Sequence, residues 1–266
     1  MKFNTILLLI VLTIVRIGNS QSTDTNQLKK KDWSLKITPY GLLAFNSTDV
    51  GGTRIRQSFN DLASITDAGF QLAASARYKK FHLFFDGTWA TLGDQSNESV
   101  LNINLKVVQN ILGFKLGYMI YENFSYEQDE ILKGWSLTPS IGTKYWKNQV
   151  KLNYVLKFEG EELASGTINE TLDWWDLMIG IKADFIITNK FMLNVAFDYG
   201  GFGINDSSKY AYDFAYINTF KISELLSINA GFRNFKYKRI DNNETGNLET
   251  TVNVFGPVIG ASFKLY

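Results

Sequence analysis

Residues 70–89, FQLAASARYKKFHLFFDGTW, decide the fold, because they read as one hairpin folded about Lys79-Lys80. With a two-residue turn, Tyr78 faces Phe81, and the pairs Ala76/Leu83, Ala74/Phe85 and Phe70/Trp89 share one face. The pairs Arg77/His82, Ser75/Phe84 and Ala73/Asp86 share the other. Successive side chains of a strand point to opposite faces, so a slip of one residue would exchange the two sets. One face is apolar and the other mixed and polar.

Two further hairpins follow the same rule. Around Thr188-Asn189-Lys190, Phe185, Ala183, Ile181 and Ile179 face Leu193, Val195, Phe197 and Tyr199, while Lys182, Asp184, Asn194 and Asp198 take the other side. Around Lys221 to Leu225, Phe220, Tyr216 and Phe214 are expected to face Leu226, Ala230 and Phe232, with Asp213 opposite Arg233. Period-two alternation predicts about ten strands, near 33–45, 68–78, 81–92, 100–120, 135–146, 174–187, 191–199, 210–220, 226–237 and 251–266. Connections 46–66, 147–173 and 238–250 read as long polar outer loops and Lys79-Lys80, Thr188-Asn189-Lys190 and Lys221 to Leu225 as short periplasmic turns, with 121–134 an exception, long for a periplasmic turn. In the fourth strand Leu101, Ile103, Leu105 and Val107 are odd-numbered but Phe114, Leu116, Tyr118 and Ile120 are even. A bulge near Gln109-Asn110 would absorb the change of phase.

Composition says what lies outside such a sheet. The first twenty residues place Lys2, an apolar run from Thr5 to Val15 and the small or polar Gly18-Asn19-Ser20 in the order of an export signal peptide. No other stretch approaches the ~18 apolar residues that a membrane helix needs. A membrane-embedded form must therefore be a closed barrel, which satisfies every backbone group in lipid. The chain holds no Cys, which excludes a lipid-anchored cysteine, a disulfide framework and thiol catalysis. A net charge of +1 offers no basic field for nucleic acid, so that partner class is dropped. Its 20 Phe, 13 Tyr and 6 Trp beside 3 Pro favour strands, and Gly and Asn supply the turns. The six Trp fall near predicted strand ends, where a membrane barrel carries its aromatic girdles. The alternating stretch 256–266, GPVIGASFKLY, ends on an aromatic, as outer-membrane strands do. The expectation is an all-β, antiparallel up-and-down transmembrane β-barrel of about ten strands, eight and twelve being the neighbouring even counts. Its parts are a signal peptide (1–20), a polar segment (21–32) and the barrel (33–266) in the bacterial outer membrane. A soluble secreted barrel, with the apolar face inward around an apolar ligand, is the alternative.

In a ten-stranded barrel the lumen is largely filled by side chains. The predicted lumen polar network comprises Arg77, His82, Asp86, Lys106, Lys144, Lys182, Asp184, Asp198, Asp213 and Arg233, with Gln71 and Lys115 beside it. Buried charges persist only when paired or hydrated, so Lys182 with Asp198 and Arg233 with Asp213 read as a plug. His82 is the only histidine, and any triad or histidine-metal site must use it. It follows a tight turn, faces Arg77 and lies four residues from Asp86, too far for a direct hydrogen bond. No catalytic, metal or cofactor residue is assigned. Gly200-Gly201-Phe202-Gly203 lacks the GK[ST] and following helix of a phosphate loop, and reads as a kink at the rim.

Residues 173–266 resemble small bacterial outer-membrane β-barrels of the OmpW/OmpA-like porin type. The likeness is carried by Trp175-Asp176, Ile179-Gly180, Asp198-Tyr199-Gly200-Gly201-Phe202-Gly203, Asn229-Ala230-Gly231-Phe232-Arg233 and the ending 256–266, about a third of the chain. The resemblance implies a lipid-embedded barrel with no assigned catalytic residues. Outward Leu265 is followed by one extra residue, Tyr266, which departs from the family's ending. The expected partners are outer-membrane lipid and lipopolysaccharide, with the barrel-assembly machinery during insertion. The expected role is structural, or the binding and limited transport of a small solute, without enzyme activity. A rim hydrolase would need Ser, His and Asp converging at the outer end.

Overall fold

The computed structural model describes residues 32–97, 101–127, 130–158, 161–243 and 246–265. The predicted signal peptide, the polar segment as far as Lys31, and Tyr266 lie outside the described residues. The elements are β1 (Trp33–Leu42), β2 (Phe45–Val50), β3 (Thr53–Gln57), α1 (Phe59–Ile65), β4 (Thr66–Tyr78), β5 (Phe81–Asn97) and β6 (Leu101–Tyr118). They continue with β7 (Tyr121–Glu127), β8 (Glu130–Phe158), β9 (Glu161–Thr188), β10 (Phe191–Gly200), β11 (Tyr210–Lys221), β12 (Leu226–Asn243) and β13 (Gly246–Lys264). The sheet runs β1-β4-β5-β6-β8-β9-β10-β11-β12-β13, and β13 pairs back onto β1. Ten antiparallel staves therefore close into a barrel with no free edge.

The three accessory strands prolong staves. β2 keeps the register of β1 along β13, from Leu42↔Val258 to Phe45↔Phe255, and a hairpin at Gly51-Gly52 adds β3. Both glycines have positive φ (56° and 87°), as a two-residue turn of this hand requires. β7 prolongs β6 along β8. The predicted long loops at 147–173 and 238–250 are corrected: β8 and β9 pair out to Phe158↔Glu161, and β12 and β13 out to Asn243↔Gly246. One end of the barrel thus carries three tight turns and the β7–β8 hairpin, which pairs out to Glu127↔Glu130, and the other carries the long β8–β9 and β12–β13 hairpins.

The hairpin at Lys79-Lys80 pairs residue for residue as predicted, and so does the set around Asn189. The third hairpin is offset by two. Asp213 lies opposite Phe235, Ala215 opposite Arg233, and Phe220 opposite Ile228. Ser223 Oγ accepts from the amides of Leu225 and Leu226, which holds Leu226 in the turn and moves the first strand pair to Lys221↔Ser227.

The bulge is also relocated. β6 runs past Gln109-Asn110 in unbroken register with both neighbours. The extra residue sits at Met119-Ile120, where the pairing changes from Gly117↔Ser140 to Tyr121↔Leu137. What changes along β6 is the solvent. In its lower half the even residues Phe114, Leu116 and Tyr118 are exposed on the outer face, while Ile111 is buried inside. Above Asn110, outward Lys106 and Lys151 are exposed polar residues, and Ile103, Leu105 and Val107 take the face continuous with the lumen. The strand leaves lipid near Asn110, so apolar residues switch sides without any slip of the backbone.

Below that level the outer face is an apolar band that includes Leu83, Phe114, Leu116, Ile141, Ile179, Ile181, Phe197, Ile228 and Ile259, all exposed. From Phe81 to Trp89 it covers about 27 Å of strand, or about 20 Å of height at the ~40° tilt of such barrels. Paired aromatics edge it at the short-turn end (Trp33–Tyr78 4.5 Å, Phe81–Tyr118 5.0 Å, Phe191–Phe220 4.8 Å between ring centroids). At the other edge lie Phe70–Trp89 (5.8 Å) and Tyr145–Trp175 (4.8 Å). Trp89 lies over Gly87, where a Cβ would approach the indole to 2.3 Å. An apolar face this large on the outside is what a transmembrane barrel presents, and it overturns the soluble alternative. Trp146 and Trp174 are corrected: they point inward and are 1% and 3% exposed. Among the described residues no helix is long and apolar enough to cross a membrane.

Candidate functional site

The inward side chains form layers. Midway along the lumen Arg233 on β12 spans two carboxylates. Its Nη2 donates to Asp86 Oδ1 at 2.8 Å and to Asp213 Oδ2 at 2.6 Å, and its Nε donates to Asp213 Oδ1 at 3.0 Å. Lys144 Nζ reaches Asp213 Oδ2 at 2.5 Å, and Tyr40 donates to Asp86 at 2.8 Å. Asp213 accepts from both cations, so this cluster joins β1, β5, β8, β11 and β12. Charge-assisted bonds of this kind compensate the desolvation of the ions that make them.

Nearer the short turns, Lys115 pairs with Asp198 (2.6 Å) and Lys182 with Asp184 (2.5 Å). The predicted Lys182–Asp198 pair is therefore corrected. Lys182 lies opposite Ala196, and its neighbour along β9 captures the ammonium while Lys115 takes Asp198 from across the lumen. The Phe84 ring centroid lies 5.8 Å from both ammonium groups, within cation–π range of each. Arg77 and His82 face each other at the short-turn end, and Arg77 Nε and His82 Nε2 are buried without hydrogen-bond partners. Gln71 is tied up, its Oε1 accepting from Leu42 N at 2.7 Å.

Lys106 does not belong to the network. It is exposed, pairs with Gly93 and Lys151, and lies on the outer face above the apolar band. Its assignment inward rested on a bulge at Gln109-Asn110, which the unbroken register removes. Asp86, Lys144, Lys182, Asp198, Asp213 and Arg233 line the cavity, while Arg77, His82 and Asp184 take the same face nearer the short turns.

Several lumen residues escaped prediction. Lys36 on β1 faces the cavity between odd-numbered outward residues, a signal the alternation Leu35, Ile37 already carried. Asp176, 0% exposed, follows outward Trp175 in the same way. Its Oδ2 accepts from Trp146 Nε1 and Ser208 Oγ, each at 2.8 Å, and its Oδ1 from Ser208 N at 2.7 Å. Trp174 Nε1 donates to Ser208 Oγ at 2.9 Å. Ser208 could not be found by alternation because it belongs to the 201–209 loop, which folds back through Gly201, Phe202 and Gly203 at positive φ.

Around these bonds Ile111, Trp146, Trp174, Met178, Ala211, Phe235 and Tyr237 make one buried cluster, with Leu42, Val252 and Val254 against it. Rings of Trp146 and Tyr237 are 4.8 Å apart, and those of Trp174 and Tyr237 5.2 Å apart. Arg239 caps the layer 4.6 Å above Trp174, held by Asp241 at 2.7 Å. Beneath this apolar layer the lumen keeps a cavity of about 270 Å³, lined among others by Lys36, Phe84, Lys115, Lys182, Asp213 and Arg233. The arrangement is a polar chamber under an aromatic lid. Among the described residues no group of three or more His, Asp or Glu is disposed to hold a metal ion.

No known family and no curated protein matches the sequence. Among solved structures the chain is similar to the outer-membrane protease OmpT of Escherichia coli, at 10% identity over 92% of this chain and 100% of that one, with a TM-score of 0.46. It is similar to Ail, the attachment invasion locus protein of Yersinia pestis solved with a heparin analogue, at 10% identity over 88% and 97%, with a TM-score of 0.36. It is similar also to the outer-membrane protein OprG of Pseudomonas aeruginosa, at 12% identity over 88% and 94%, with a TM-score of 0.27. The structural neighbours are outer-membrane β-barrel proteins.

Proposed function

We propose that this protein is a closed, non-catalytic barrel of the bacterial outer membrane whose lumen holds a solute and does not conduct one. The observation that carries the reading is the lid. Trp146, Trp174, Phe235 and Tyr237 pack across the lumen, each at most 6% exposed, and the two indole N–H groups are taken up by Asp176 and Ser208. A closely packed apolar layer opposes a hydrated path, so on this reading solute entering from the short-turn end stops in the chamber. The end with the three tight turns and the β7–β8 hairpin then faces the periplasm and the long β8–β9 and β12–β13 hairpins face outward, the usual sense of bacterial barrels. Insertion by the barrel-assembly machinery and contact with lipopolysaccharide follow from that location.

The rim-hydrolase reading is less well supported. The Ser208–Asp176 pair at the outer end is enclosed, its hydroxyl held between a carboxylate and an indole, with no histidine beside it. His82 lies at the opposite end of the lumen. Liposome swelling in an isotonic small sugar tests the proposal. Proteoliposomes should swell no faster than protein-free vesicles, and rapid swelling would defeat the reading.

A further inference from the structure

The charges of the chamber do not balance. Four of its carboxylates already have a cation: Asp86 and Asp213 share Arg233, Asp213 also takes Lys144, Asp198 takes Lys115 and Asp184 takes Lys182. Half-buried Glu122 on β7, opposite Ser136, adds one further carboxylate to this face beside the short turns. Among the described residues, two inward cations that are not exposed remain without an ion-pair partner: Lys36 on β1, which lines the cavity, and Arg77 on β4, nearer the short turns; exposed Lys264 stands opposite Lys36 at the mouth. Lys36 lies opposite Ser75, two residues from Arg77 on the same face, so the two are diagonal neighbours about 7–8 Å apart at the backbone. His82 is directly opposite Arg77, and Ser34 flanks Arg77 on β1. Lys182 and Asp184 reach from β9 to within electrostatic range of both Lys36 and His82.

Two unneutralised cations on the inner face of the barrel are costly, and the unpartnered Arg77 Nε and His82 Nε2 add to that cost. We infer that the short-turn end of the chamber is a binding site for a small phosphomonoester, seated between Lys36 and Arg77. Two free positive charges select a dianion over a carboxylate, and a phosphomonoester carries about −1.5 to −2 near neutral pH. Its oxygens accept from the ammonium and the guanidinium in charge-assisted bonds. The cavity of about 270 Å³ leaves room above the phosphate for a few carbon atoms and hydroxyls, which Phe84 and the ion pairs would line. A phospholipid headgroup shares the chemistry, but its phosphodiester carries one charge and lies outside the barrel wall.

The inference rests on the lumen being a chamber, and the two can fail separately, because conductance reads the lid whereas titration reads the site. The full barrel is purified in phospholipid-free non-ionic detergent and titrated calorimetrically with glycerol 3-phosphate at constant ionic strength. Binding should saturate at one site and weaken at least tenfold in the double variant Lys36→Gln, Arg77→Gln, while Lys106→Gln on the outer face leaves it unchanged. In phosphate-free buffer the double variant should melt no lower than the wild-type chain, since it loses only unpaired charge. Absence of saturation, binding that survives the double substitution, or seen only with added phospholipid, would overturn the site. So would a double variant that melts markedly lower without phosphate, because the two cations would then be structural.

Discussion

The indole N–H of Trp146 donates to Asp176 Oδ2 at 2.8 Å, joining neighbouring staves inside the lid. The same carboxylate holds the 201–209 loop through the amide and hydroxyl of Ser208, so one side chain fixes both the lid and the loop that covers it. Asp176→Ala leaves three donors without an acceptor in a site closed to water. Each orphaned group costs about 1–3 kcal/mol, so the variant should lose about 3 kcal/mol or more. Asp176→Asn keeps one acceptor and should lose less. Urea unfolding in lipid, followed by tryptophan fluorescence, gives both values.

Arg233 neutralises two carboxylates at once, and Arg233→Met should cost about 3–5 kcal/mol, the range for breaking a buried pair. Exchange of charge between positions 213 and 233 should not restore wild-type stability. An arginine at 213 would face Lys144, and an aspartate at 233 would face Asp86. Denaturant midpoints of the two single variants and the exchanged double variant check this, and full recovery by the exchange would show that the pair stands apart from its neighbours.

Absence of Cys makes single-cysteine labelling clean. Lys106→Cys should react quickly with a membrane-impermeant maleimide, being outward and above the apolar band. Leu116→Cys, ten residues lower on the same face, should be protected in lipid vesicles. Equal reactivity at the two positions would move the membrane boundary away from Asn110.

Much of this was legible in the sequence because a closed sheet repeats one rule. Alternation places a residue inside or outside, and a tight turn fixes its partner, which is why the pairs about Lys79-Lys80 came out residue by residue. It fails where something other than pleat decides. Ser223 moved the third hairpin by two, although Arg233 is long enough to keep Asp213 diagonally. Strand β6 changed its apolar phase at the edge of the membrane, which from sequence looks the same as a bulge and misplaced Lys106. Long polar segments such as 147–173 read as loops because both faces meet water, yet the backbone goes on pairing. By position along the strand Trp146 and Trp174 read as girdle residues, and only parity with Lys144 and Asp176 shows that they point inward.

Single-channel recording in planar bilayers tests the central claim, that the lumen is closed by its aromatic lid. Wild-type protein should give no conductance steps above the bare membrane, and a Trp146→Ala, Tyr237→Ala variant that retains the folded barrel should give resolvable ones. Sustained open-channel steps from the wild-type chain would contradict the account.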